Sequence, residues 1–333
     1  KSGIDRDMQG IMIADILKDI SKNPENQTVL NSLIESLKNE YQQAVDNKNL
    51  QFAYGSSASI LQSSLNSENP WLKEMLQEYP VPDFSKLVVK ELLNEKGEYI
   101  EQAFFLKEND TDDDMETSFA NFMEGFQDHS KWKIEDKGSF YIITLRAAGN
   151  KIKIYANKFA DKNPEVENKS CLDIANYMQA NNEQPAGLIQ RGQYWHINGQ
   201  EKTMGMVDYI NNRKALYSNV NLSFLGGCFS FNSTDKITDV FGEKQIFSSK
   251  STATKYVTDP SLRYIHNSIQ QGEDIVWSNM LQLIQQDTKR EEAQDIVPPD
   301  QNSLLKLYAI RQMRKNLEAS LVAASAEQAG GGG

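Results

Sequence analysis

The chain has 333 residues, of which 39% are hydrophobic, and it carries a net charge of −11 at pH 7. This length is enough for two domains, or for one domain with a long helical extension, and the apolar content is enough for a substantial core. The acidic charge argues against a nucleic-acid partner, because phosphate binding needs clustered Lys and Arg. The sequence has no apolar run of about 18 residues, so it predicts no membrane span.

Cysteine and histidine are scarce in this sequence. The two cysteines, Cys171 and Cys228, are too few for a disulfide framework. The three histidines, His129, His196 and His266, are far apart and lack the spacing of a zinc motif. The glycine motifs that bind nucleotide phosphates are also missing. We therefore predict a protein without a metal ion or cofactor.

Helical periodicity marks the first part of the chain, up to about residue 80. Apolar residues recur at helical spacing over 4–16 and again over 30–45. We predict that residues 1–130 form a mainly helical N-terminal region. Its amphipathic faces suit either internal packing or docking to a partner protein.

From Trp132 onwards the pattern changes to short apolar strands that alternate with helices. Strands are predicted within 132–155, 186–189, 220–225 and 245–247, and helices over 170–179, 203–210, 261–270 and 275–285. This alternation predicts an α/β domain over residues 131–325, with a mostly parallel sheet flanked by helices and a C-terminal helix over 303–324. Residues 326–333 are predicted to be a flexible tail.

Two of the predicted strands end in residues suited to chemistry. The first leads into Arg191-Gly192-Gln193 and then His196, and the second ends in Gly226-Gly227-Cys228. The helix-containing connection between them predicts two neighbouring parallel strands. Functional groups in parallel sheets gather at the carboxyl ends of the strands. We therefore predict that Gln193 and Cys228 lie at the same edge of the sheet.

Cys228 is a candidate nucleophile because the glycines before it let a substrate backbone approach closely. The backbone N–H groups of Gly227 and Cys228 are candidate donors to an oxyanion. A cysteine nucleophile needs a base, and His196 stands 32 residues upstream. Arg191 suits the binding of a substrate carboxylate, or equally an ion pair with an acidic side chain of the chain itself. A cysteine considered alone is more often a small buried hydrophobe.

This arrangement resembles the caspase-like cysteine peptidases, a group that includes caspases, gingipains, clostripain and separase. Residues from about 118 to 313 resemble more closely a little-characterised family of bacterial proteins with the motifs R-G-H-S-Y-H, L-G-S-C-G-G and S-K-Q-x-G-T. The similar segments here are 191–196, 225–229 and 249–254, with further similarity at 155–157, 257–260 and 298–302. The resemblance implies a caspase-like fold, a nucleophile at Cys228, and a protein or peptide as the partner.

The chain departs from this family at the residue that matters most for catalysis. The first motif histidine, which corresponds to the caspase-like base, is Gln193 here, and glutamine cannot take a proton at neutral pH. His196 matches the second motif histidine but lies three residues further on, and a small displacement can cost orders of magnitude in rate. The glycine that follows the family's cysteine is replaced by Phe229, and we expect this larger side chain to crowd the site.

Three functions stay open on these grounds. The first is a caspase-like domain with a degenerate or weakened dyad that acts as a scaffold or binding module. The second is an active cysteine endopeptidase, with Cys228 as the nucleophile and His196 as the base. The third is a structural subunit of a larger protein assembly, with the N-terminal helices and the 303–324 helix as contact surfaces. Gln193 favours the first and the third.

Overall fold

The computed structural model describes residues 27–65, 67–106, 113–146, 151–159, 164–192, 206–227, 230, 237, 241, 244–250, 253–288, 296–297 and 299. The chain divides into two compact units, one made of Lys1–Phe84 with Asp300–Gly333, and the other of Ser85–Pro299. The helical stretch predicted over 4–16, the helix predicted over 303–324 and the tail predicted over 326–333 lie outside the described residues.

Three helices make up most of the described part of the first unit, and a shared apolar cluster holds them together. Their bounds are α1 (Gln27–Gln43), α2 (Lys48–Leu65) and α3 (Pro70–Glu78). The buried members of the cluster are Leu30, Ile34, Leu37, Ala58, Leu61, Trp71, Leu72 and Met75. Those of α1 follow helical spacing, as the sequence predicts. The described residues of the predicted helical region are thus mainly helical from Gln27 to Glu78.

The start of α3 is set by its cap. The side-chain oxygen of Asn69 accepts hydrogen bonds from the N–H groups of Trp71 and Leu72, at 3.0 and 3.3 Å. Asparagine is favoured at this position because it satisfies N–H groups that have no partner within the helix. Pro70 fits the first helical position, where its missing N–H is not needed.

The second unit is built from strands and helices in alternation. Its strands are β1 (Lys86–Leu87), β2 (Glu98–Leu106), β3 (Trp132–Asp136), β4 (Phe140–Leu145), β5 (Lys151–Asn157), β6 (Gly187–Gly192), β7 (Leu222–Gly226), β8 (Gln245–Ser249), β9 (Ile275–Val276) and β10 (Ile296–Val297). Its helices are α4 (Asp113–Glu124), α5 (Pro164–Ala180), α6 (Met206–Asn211), α7 (Lys255–Gln271) and α8 (Trp277–Thr288), and a short 3₁₀ helix covers Val89–Leu92.

An eight-stranded sheet forms the centre of this unit, in the order β10-β8-β7-β6-β2-β5-β4-β3. The strands from β8 to β5 are parallel, whereas β4, β3 and β10 are antiparallel to their neighbours. β1 and β9 form a separate antiparallel pair. The protein is thus an α/β protein with a mostly parallel sheet flanked by helices, as the sequence predicts.

The central strand β2 is the main element that the sequence analysis missed. The boundary predicted at residue 131 assigned it to the helical region, but the sheet begins before that point and the compact unit starts at Ser85. Glu101 and Gln102 interrupt the apolar run of β2, although both are fully buried. Polar residues on both faces of a strand remove the periodicity on which such a prediction depends.

Helices cover both faces of the sheet. Successive side chains of β2 point to opposite faces, as in any strand. The ring of Phe105 packs against Phe119 and Phe122 of α4, with centroids 5.1 and 4.8 Å apart. On the other face, Phe104 packs edge-on against Tyr209 of α6 at 5.7 Å. Coverage of both faces is what a parallel sheet requires, because its strands are apolar on both sides.

Candidate functional site

The carboxyl edge of the parallel strands is the place where this kind of fold collects functional groups. The strand order shows that the chain passes from β2 to β5 on one side and then to β6, β7 and β8 on the other. The winding therefore reverses between β2 and β6, and open α/β sheets bind ligands in the crevice at such a reversal. The described residues that end the strands there are Leu106, Asn157, Gly192, Gly226 and Ser249.

Gly192 ends β6 in a conformation that only glycine adopts without strain. Its φ angle is +123°, in the region where a side chain is disfavoured. A Cβ atom at this position would lie 2.0 Å from the carbonyl oxygen of Leu106 on the neighbouring strand. Glycine here thus lets β6 lie against β2 up to its last residue, directly before Gln193 in the sequence.

Asn157 joins the carboxyl ends of β5 and β2 through its side chain. Its amide nitrogen donates to the carbonyl oxygen of Phe105, and its amide oxygen accepts from the Phe105 N–H, both at 2.7 Å. The side chain is fully buried and acts as one more peptide group in the ladder. Asn157 thus holds the ends of β5 and β2 together on one side of the crevice. It lies in a segment, 155–157, that the family resemblance includes.

The chain after β7 is held on both sides of residues 228 and 229. The Ser230 N–H donates to the carbonyl oxygen of Gly227 at 3.3 Å. The Ser230 hydroxyl donates to the carbonyl oxygen of Leu225 at 2.7 Å and accepts from the Ser249 N–H at 3.0 Å. Ser230 therefore ties this segment to β7 and β8 together.

Arg191 is a buried residue of this edge, with a relative exposure of 1%. Its guanidinium donates to the Ser118 hydroxyl at 2.8 and 3.0 Å, and to the carbonyl oxygen of Gly226 at 2.7 Å. Asp259 pairs with it at 3.4 Å and also accepts from Ser118 at 2.6 Å and from Asn121 at 2.8 Å. The guanidinium thus connects β6 to α4, to α7 and to the end of β7.

The predicted arrangement of the two site strands is confirmed. β6 and β7 are adjacent and parallel, and Arg191 lies opposite Gly226 in their register. Gln193, His196 and Cys228 lie outside the described residues, so their roles stay predictions, as does the role of Gly227 at an oxyanion. The contacts of Arg191 match the second of its two predicted roles, an ion pair with an acidic side chain of the chain itself.

Four residues that position this edge were not singled out from the sequence: Ser118, Asn157, Ser230 and Asp259. Three of them act through partners distant in sequence, since Asn157 is 52 residues from Phe105, and Arg191 is 73 residues from Ser118 and 68 from Asp259. No local pattern reveals such pairs. The one available signal was the family resemblance, because 155–157 and 257–260 were among the segments that carried it.

A second buried polar group lies under the middle of β2. The carboxylate of Glu101, which is fully buried, accepts from the Tyr99 hydroxyl at 2.7 Å and contacts His266 Nε2 at 2.9 Å. Burial, and then the charge of Glu101, raise the pKa of Tyr99 well above its ordinary value. His129 is exposed, and Cys171 is buried in α5.

The described residues contain no group of three or more His, Cys, Asp or Glu side chains that could hold a metal ion. Among their helices, none has the length and apolar character that crossing a membrane requires. Comparisons with protein-family models, with curated proteins and with solved structures gave no match.

Proposed function

We propose that residues 85–299 form a caspase-like domain related to cysteine peptidases, with a weakened dyad, that serves as a binding or scaffold subunit for a protein or peptide. The observation that carries the proposal is the register of β6 and β7, in which Arg191 lies opposite Gly226. A base and a nucleophile that follow two neighbouring parallel strands are what the caspase-like resemblance requires. The reversal of winding next to β6 also supports a site at this edge.

Gln193 supports the weakened dyad. It directly follows Gly192, whose conformation and contact with Leu106 leave no room for a side chain at the end of β6. General-base catalysis needs a group that accepts a proton near neutral pH, and an amide does not. A site that keeps the edge geometry but lacks the base is suited to binding a peptide without cleaving it.

The second candidate function is an active cysteine endopeptidase. It would use Cys228 as the nucleophile, His196 as the base, and the N–H groups of Gly227 and Cys228 as oxyanion donors. One observation favours it: Arg191 and Ser230 hold the chain on both sides of Cys228. A catalytic nucleophile needs such support, because the reaction slows when the nucleophile is not held in position.

Alkylation of Cys228 by iodoacetamide, followed by mass spectrometry as a function of pH, tests the proposal. With a weakened dyad, the rate should rise with pH through about 8.5, the ordinary value for a cysteine. Cys171 is buried in α5 and serves as the internal control for unfolding, because it should not react in the folded protein. Rapid alkylation of Cys228 at pH 6 that is slowed by His196→Ala would favour the active peptidase instead.

A further inference from the structure

A cavity of about 150 Å³ lies between α4 and α7, beside the start of β3. Its apolar wall is mostly aromatic, and its polar wall combines basic and amide side chains with one carboxylate. The aromatic residues are Phe122, Phe126 and Trp132, and the basic ones are Lys131, Arg263 and His266. Neighbouring rings of the wall lie edge-on, with Phe126 at 4.9 Å from Phe122 and 4.8 Å from Trp132. The cavity is distinct from the crevice at the carboxyl edge and does not depend on the proposed function.

The charge of this cavity is positive, although the chain as a whole carries −11. Of the described side chains that line it, Asp259 alone is acidic, and that carboxylate already pairs with Arg191. Arg263 and Lys131 form no ion pair within 4 Å of any residue that the structure describes. The charge of Lys131 also acts on the nearby carboxylate of Asp128, and its Nζ lies 6.0 Å from the centre of the Trp132 ring. Arg263 is thus a positive charge without an ion pair among the described residues, and Lys131 places a second positive charge beside the aromatic surface.

His266 adds a fixed polar group to the same wall. Its Nε2 atom faces the buried carboxylate of Glu101, at 2.9 Å from one oxygen and 3.1 Å from the other. The second ring nitrogen, Nδ1, makes no hydrogen bond to the described residues. The imidazole is therefore held by one nitrogen while the other stays open to a ligand.

From these features we infer that the cavity binds a small aromatic carboxylate. A cavity of about this volume accepts a single benzene ring, and the three aromatic side chains give the ring its contacts. The planar guanidinium of Arg263 matches the geometry of a carboxylate, and Lys131 adds a second positive charge. Selective binding needs both the carboxylate and the ring of the ligand, because exposed cations alone attract every anion weakly.

A ligand-observed NMR titration of the full chain with benzoate tests this inference. Benzamide is the neutral probe of the same shape, and acetate is the anion without a ring. Benzoate should bind at least about 10-fold more tightly than either, since it alone satisfies both walls. Equal affinity for benzamide and benzoate, or for acetate and benzoate, would overturn the inference, because one of the two walls would then contribute nothing.

Substitutions of the two cationic residues at the cavity, Arg263 and Lys131, locate the site. Arg263→Gln and Lys131→Gln should each weaken benzoate binding by about 3- to 10-fold and leave the weak binding of benzamide unchanged. Both side chains lie at the cavity without an ion partner in the described part of the chain, so neither change should affect folding. Lys96→Gln, at an exposed lysine outside the cavity, is the control for net charge. If Lys96→Gln weakens benzoate as much as Arg263→Gln does, benzoate is not bound in this cavity.

Discussion

Arg191 donates a 2.7 Å hydrogen bond to the carbonyl oxygen of Gly226, the residue that lies opposite it on the neighbouring parallel strand. This bond is made by a side chain where the backbone ladder between the two strands ends. The same guanidinium reaches Ser118 and Asp259 on two different helices. The carboxyl end of β7 is thus anchored to the helical layer through a single charged group.

Arg191→Met should destabilise the protein by about 3–5 kcal/mol, because it leaves the carboxylate of Asp259 buried without its cation. Arg191→Lys should cost less, since it keeps the charge but loses the fork that reaches three partners. Chemical denaturation measures both changes. In a double-mutant cycle with Asp259→Asn, the paired change should cost less than the sum of the single changes. Strict additivity would show that the two side chains do not act as a pair.

Gly192→Ala should destabilise the protein by roughly 3 kcal/mol or more. The positive φ angle of the residue costs about 1–2 kcal/mol for any L side chain, and the new Cβ would also overlap the Leu106 carbonyl oxygen. Gly138→Ala is a matched control, because Gly138 also has a positive φ, +89°, but has no atom within 4 Å of a Cβ placed there. If thermal denaturation shows that the two variants lose equal stability, the overlap with the Leu106 carbonyl oxygen does not contribute to the effect of Gly192→Ala.

Gln193→His should move the alkylation profile of Cys228 toward lower pH, because a neighbouring imidazolium stabilises the thiolate. The measurement is the pH of half-maximal reactivity in the wild type and the variant. Combination with His196→Ala separates the two histidines, and the shift should persist in that background. A profile that does not move in either background would argue that residues 193 and 228 do not meet at the edge of the sheet.

The buried tyrosines on the α5 and α6 side of the sheet should make the fold sensitive to alkali. Burial raises the pKa of Tyr209 to about 12, and its hydroxyl donates to the Cys171 carbonyl oxygen at 2.7 Å. A raised pKa in the folded state means that this contribution to stability is complete below about pH 10 and is lost as pH rises toward 12. Two pKa units correspond to about 3 kcal/mol.

Denaturant midpoints at pH 8, 10 and 11 test this expectation. The Tyr209→Phe variant should be less stable than the wild type at pH 8, because it loses the hydroxyl's hydrogen bonds. Its stability should then fall less steeply between pH 10 and 11, since it has one fewer buried group that ionises only on unfolding. Parallel declines in the two proteins would count against the role of Tyr209.

A fragment that begins at Ser85 should fold by itself. The apolar cluster beneath the sheet is made of residues between 87 and 296, so the second unit contains its own core. Circular dichroism should show helix and strand signals that melt in one cooperative transition. A fragment with native-like secondary structure but no cooperative transition would mean that the remaining chain completes this core.

The sequence predicted the site strands better than it predicted the sheet's centre. β6 and β7 are short apolar runs that end in glycines, and these features can be recognised from neighbouring residues alone. The polar residues Glu101 and Gln102 hid β2, because His266 and Tyr209, which pair with them, are far away in the sequence. The role of Arg191 was left open for the same reason, since only the folded chain brings Ser118 and Asp259 to it.

The pairing of Glu101 with His266 restricts the order in which the domain can be completed during synthesis. β2 is the first strand of the large sheet to leave the ribosome, but the imidazole that faces its buried carboxylate follows 165 residues later. Until then, burial of the strand would leave this carboxyl group without its imidazole partner, with the Tyr99 hydroxyl as its other hydrogen bond. We therefore expect a nascent chain that ends before α7 to bury β2 less stably than the complete domain does.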